Sequence, residues 1–227
     1  MFYYDWTYLL IIPGLLLGLW AQFKVKNAYA EYSKIPTRLG RSAAIVVDDL
    51  LRRNGNNKVR IGRVSGELTD HYNPADETLK LSDGVFGSNS IAALGIAAHE
   101  AGHAMQKHEN YAPLALRTAI VPAVNICSGL STPLFFIGLI MSWEPLLTLG
   151  IILFAASTVF ALVTLPVEFN ASRRAVAMLT EGGYVSGEEE RGVRKVLNAA
   201  ALTYVAAAVT SVLSLLRLVM IANRRRD

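Results

Sequence analysis

Ile91-Ala-Ala-Leu-Gly-Ile-Ala-Ala-His-Glu-Ala-Gly-His-Ala-Met105 is an apolar, alanine-rich stretch interrupted by one charge, Glu100, and two histidines, His99 and His103. Its composition and length read as a buried helix. Ser88-Asn89-Ser90 just before it are all residue types that cap helix N-termini. On a helix, residues four apart share a face. His99 and His103 then present two imidazoles one turn apart, as one tetrahedral Zn²⁺ requires. Glu100 falls beside the open coordination position, where it can take a proton from a water attacking a peptide carbonyl. The pattern H-E-x-x-H therefore points to a metal-dependent peptidase. A buried Glu with two His and no metal would need costly partners, which disfavours reading the same residues as mere core.

Working outward, the chain is 52% hydrophobic with a mean hydropathy of +0.34, high for a water-soluble domain. Four segments approach the ~20 apolar residues needed to span a bilayer: about 5–23, 118–141, 146–167 and 198–222. The first lacks a basic stretch before it and is followed by Lys24 and Lys26, so it reads as a retained anchor rather than a cleaved signal. Pro122 and Pro133 sit within the second, and Arg217 near the end of the fourth can snorkel. The single cysteine, Cys127, excludes an intrachain disulfide.

The remainder, 24–117 and 168–197, forms the active-site region of what is expected to be one membrane-embedded domain, 1–227. Residues 27–54 read as helical with a break at Ile35-Pro36, and 43–51 are amphipathic. Val59–Ile61 and Thr78–Leu81 read as short strands, the second either an edge strand that would align an extended peptide or an ordinary hairpin strand. Gly66–Asp76 carries turn signals. Glu181–Gly187 reads as a loop between helices. The fold class is thus mainly α: a multi-pass membrane protein of about four transmembrane helices, with a zincin-like active-site region carrying a small β element.

Two histidines do not complete a catalytic zinc site. Glu168, at the end of the third span in Leu165-Pro-Val-Glu-Phe, is an unusual position for a merely solvated carboxylate. The alternative is an interfacial charge paired with Arg173 or Arg174. Two membrane crossings separate it from His99 and return it to the same side, so Glu168 is the expected third ligand, with one Zn²⁺ per chain. For stabilising the oxyanion, His71, Tyr72 and Arg173 are the candidates.

The sequence resembles the YugP-type neutral zinc metallopeptidases, a bacterial family of small multi-pass membrane proteins. The likeness covers essentially the whole chain and is carried by Trp20-Ala-Gln-Phe-Lys-Val-Lys26, Leu68-Thr-Asp-His-Tyr-Asn-Pro74, Ala97-Ala-His-Glu-Ala-Gly-His-Ala-Met-Gln106, Leu165-Pro-Val-Glu-Phe169 and Ala200-Ala-Leu-Thr-Tyr204. H-E-x-x-H with a later Glu is similar also to HtpX-type membrane peptidases, whose distal motif resembles E-x-x-x-D. That likeness implies Glu168 as ligand and puts Ser172 where an Asp would support a histidine. Asn170 stands where the YugP-like pattern has Asp.

The implied activity is hydrolysis of peptide or protein substrates at a bilayer by a zinc endopeptidase. Rivals are a zinc-bearing scaffold without turnover, disfavoured by the intact Glu100, and a small transporter, disfavoured because the spans are nearly free of ionisable groups. Lys24, Lys26, Lys34, Arg38, Arg41, Arg117, Arg173 and Arg174 fall on the active-site side and favour a cytoplasmic site in the bacterial cell membrane. Arg224–Arg226, on the opposite side if all four spans cross, argue the other way or for one segment that does not cross. The net charge of +4 suits anionic headgroups. The scattered basic residues, without interleaved aromatics, give no sign of nucleic-acid recognition.

Overall fold

The computed structural model describes residues 6–224. Asp5, at the start of the first expected span, and Arg225 and Arg226 of the terminal basic cluster lie outside them. The protein is mainly helical. A 3₁₀ turn, Trp6–Leu10, precedes α1 (Ile12–Tyr32) and α2 (Ala43–Arg53). Three short strands follow: β1 (Arg60–Val64), β2 (His71–Asn73) and β3 (Thr78–Ser82). Then come α3 (Asp83–Phe86), α4 (Ile91–His108), α5 (Ala112–Met141), α6 (Glu144–Glu181) and α7 (Glu188–Asn223). Among the described residues, four helical stretches are long and apolar enough to cross a membrane: Trp6–Tyr32, Ala112–Met141, Glu144–Glu181 and Glu188–Asn223.

The helices outrun the apolar segments that announce them. No glycine or proline follows Val167 until Gly182, so α6 continues as one helix through Glu168, Asn170 and Ser172. It stops at Gly182-Gly183, where Gly183 takes φ +72°, a left-handed conformation that costs glycine little. Glu168 is therefore well inside a helix and not at its mouth. Similarly, α7 starts at Glu188, ten residues before the apolar run, with three glutamates in its first turn complementing the helix dipole.

The chain divides into two compact units. One comprises Met1–Ala21, Ala115–Pro166 and Thr203–Asp227, and the other Gln22–Leu114 and Val167–Leu202. In the first, α5 and α6 approach closely: a Cβ on Gly138 would come within 2.4 Å of the Leu147 nitrogen, and one on Gly150 within 2.6 Å of the Phe135 nitrogen. Thr158 and Ser211 join α6 to α7 by a 2.9 Å hydrogen bond, and Arg217 lies over the Tyr8 ring.

The second unit holds the larger core, in which Val46, Val47, Leu50 and Leu51 of α2 pack with Leu79, Leu81, Leu94, Ala97, Leu179 and Val193. α4 starts as its sequence predicts. Ser90 Oγ accepts from the Ala93 amide at 3.2 Å, so one orphan donor of the first turn is satisfied. The stretch after α1 clamps this start, through Ile91 N to Ile35 O and Thr37 N to Asn89 O.

The sheet corrects two expectations. Its order is β1-β3-β2, with β3 parallel to β1 and antiparallel to β2. Thr78–Leu81 is thus the central strand and not an edge. Both its sides are paired, and Leu79 and Leu81 are fully buried, so it offers no free edge to an extended peptide. The edge nearest α4 is β2, in a segment whose Asn-Pro and Asp residues suggest only turns. The turn follows the strand: Asn73 Oδ1 accepts from Ala75 N, and Asp76 Oδ1 accepts from Thr78 N and Oγ1.

Candidate metal centre

The site belongs to the second unit and is built where α4 meets α6. The approach is set by Gly102, between the two histidines. A Cβ there would lie 2.5 Å from the Ala171 carbonyl oxygen, a backbone atom that cannot swing aside. Alanine would gain about 1 kcal/mol of helix propensity at this position, but overpacking costs about 1–3 kcal/mol and would separate the helices that carry the ligands. Gly95 differs, its Cβ meeting Val193 no closer than 3.4 Å, an ordinary van der Waals contact.

That contact lets α6 place Glu168 over the histidines. His99 Nε2 is 3.2 Å and His103 Nε2 3.5 Å from the same oxygen, Glu168 Oε2. The rings stand nearly perpendicular, 83° apart, with centroids 4.8 Å apart. Glu168 is 2% exposed. Candidate donor atoms of the three residues all lie within 4.8 Å of one another. Tetrahedral zinc with bonds near 2.0–2.2 Å has ligand atoms about 3.4 Å apart. The two histidine–Glu168 separations bracket that figure, and the donor types, two imidazoles and a carboxylate, suit zinc. The residues therefore fit the metal.

Glu100 occupies the next position on α4. Tyr72 of β2 donates its backbone N–H to Glu100 Oε2 at 2.9 Å. Desolvation pushes the Glu100 carboxyl above the usual carboxylate range, against the pull of His99 and His103. A raised value brings a general base nearer to neutral pH.

The supporting candidates separate. Ser172 Oγ sits 3.1 Å from His99 Nδ1, behind the ligand face. Tyr72 reaches the site through its backbone. Its half-buried ring packs against the core, and burial followed by Glu77 and Asp76 pushes its phenol up to about 12. His71 is exposed, with Nδ1 2.8 Å from Thr69 O in its own loop. Arg173 is exposed. Arg174 is the arginine engaged, with Nε on Asn170 Oδ1 at 2.7 Å and Nη1 on Glu109 Oε2 at 2.7 Å. It is Glu109, not Glu168, that this arginine pairs.

One buried residue escapes the sequence reading of roles. Gln106, fully buried, lies 3.0 Å from His103 Nδ1 and donates to Val167 O and Asn170 Oδ1. Its signal is a lone amide in an apolar helix, three residues after a ligand candidate.

A helical, membrane-type chain whose H-E-x-x-H helix meets a carboxylate from a second helix has the donor arrangement of zinc metallopeptidases. The chain matches, over residues 7–223, the family described as "putative neutral zinc metallopeptidase", and it belongs to that family. It is 48% identical over 218 residues, 96% of this chain and 97% of the other, to the "putative membrane protease YugP" of Bacillus subtilis (strain 168). No solved structure matches it.

Proposed function

We propose that the protein is a zinc-dependent membrane endopeptidase, with one Zn²⁺ per chain held by His99, His103 and Glu168. The observation that carries this reading is the convergence of both histidine Nε2 atoms on one Glu168 oxygen, with Glu100 next to His99 on the same helix. Zinc, when bound, supplies Lewis acidity, bringing the pKa of a water toward 7 and polarising a carbonyl. Glu100 takes the proton from the attacking water and passes it to the leaving amine. The Tyr72 N–H steadies the Glu100 oxygen it bonds, leaving the other for proton transfer. Ser172 orients the His99 ring from behind.

Metal removal tests the reading. Dialysis of the detergent-solubilised protein against a chelator is expected to abolish cleavage of a quenched-fluorescence peptide mixture. One equivalent of Zn²⁺ is expected to restore it. Cleavage indifferent to the chelator would refute the proposal.

We infer further that the site faces the cytoplasm of a bacterial cell, from the excess of Lys and Arg on its side of the spans. With Cys127 replaced, a cysteine at the exposed Glu181 should be protected from an impermeant thiol reagent in intact cells. Labelling there would reverse the orientation.

A further inference from the structure

The hydrogen bonds of Gln106 carry chemical information beyond their distances. Its Nε2 lies 2.8 Å from the Val167 carbonyl and 2.9 Å from Asn170 Oδ1. A backbone carbonyl only accepts, so the nitrogen of the Gln106 amide must face α6. Its oxygen, Oε1, then faces His103 Nδ1 at 3.0 Å. An amide oxygen has no proton to give, so the imidazole must donate from Nδ1. That leaves the Nε2 lone pair of neutral His103 directed at the side where Glu168 lies.

The amide is itself held. Asn170 Oδ1 receives a second hydrogen bond, from Arg174 Nε at 2.7 Å. Arginine has only donors, so this fixes the Asn170 amide as well. Arg174 in turn is anchored by Glu109, just past the C-terminal end of α4. A continuous chain of one-way hydrogen bonds thus runs from His103 through Gln106, Asn170 and Arg174 to Glu109. His99 lacks such a constraint: its Nδ1 partner is the Ser172 hydroxyl, which can donate or accept.

We infer that Gln106 is a positioning residue that locks His103 in the Nδ1–H tautomer and orients its Nε2 for a metal, with Asn170 and Arg174 holding Gln106 in register. The role in metal affinity rests on the zinc reading above. The tautomer lock does not.

Two readouts on the full-length protein test it: the His103 tautomer by nitrogen NMR of histidine-labelled, metal-free protein at alkaline pH, and Zn²⁺ affinity by competition with a chromophoric chelator. In the native protein His103 should be Nδ1-protonated. Gln106→Met, close in volume, should give a mixture of tautomers and weaken zinc about 10–100-fold. Asn170→Leu should act in the same direction. Asn170→Asp should retain both properties, because a carboxylate accepts from the same two donors.

Native tautomer and native affinity in Gln106→Met would overturn the inference. Should that variant fail to fold, equal affinities in Asn170→Leu and Asn170→Asp would overturn it, and a deficit confined to Leu would support it. A tautomer lock lost in Gln106→Met, in a native protein that binds no zinc, would uphold the lock itself and refute the metallopeptidase reading with the metal-affinity role that rests on it.

Discussion

Glu168→Gln is expected to lower zinc affinity by more than about 100-fold, beyond the loss typical of a residue that only supports a ligand, and to remove cleavage with it. Geometry and electrostatics act together here. Both imidazoles address the same Glu168 oxygen at 3.2 and 3.5 Å, and the carboxylate is almost wholly withdrawn from water. Glutamine keeps the volume and one carbonyl oxygen, so α6 should still seat against α4 at Gly102. It loses the negative charge that a divalent cation requires from this position. Two neutral imidazoles and an amide form a much poorer zinc site. Zinc content and thermal stability of the purified variant decide the matter. A folded variant that retains a full equivalent of zinc would show that Glu168 is not a ligand.

The parts of this arrangement differ in how openly the sequence displays them, for physical reasons. The α4 helix, its cap at Ser90 and the alignment of His99 with His103 follow from local spacing alone, which is why they are legible. The four long apolar helices are likewise a matter of composition. Glu168 is legible through the expected topology, in which two crossings would return it to the side of His99. What places it, the unbroken run of α6 past Pro166 and the close contact at Gly102, depends on packing between helices.

The sheet order was not legible. Thr78–Ser82 alternates outward and inward residues, and that alternation is the same for a central strand and for an edge with one buried face. The strand at Tyr72 is masked by the Asn73-Pro74 turn signal directly after it. Its functional contact is a backbone N–H, which no side-chain pattern reveals. Gln106 is hidden for a related reason: its partners lie 61 and 64 residues away on α6.

The measurement that bears most directly on the account is zinc content together with peptide cleavage, in detergent, for the native protein and Glu100→Gln. Glutamine at this position can still accept the Tyr72 N–H through its oxygen, so the local structure should persist. It cannot take a proton from water at neutral pH. Loss of a general base costs about 10²–10⁴-fold in rate. About one zinc is predicted in each protein, with cleavage by the variant slower than that of the native protein by that factor. Native-like cleavage by Glu100→Gln, or a native protein free of zinc under metal-replete conditions, would contradict it.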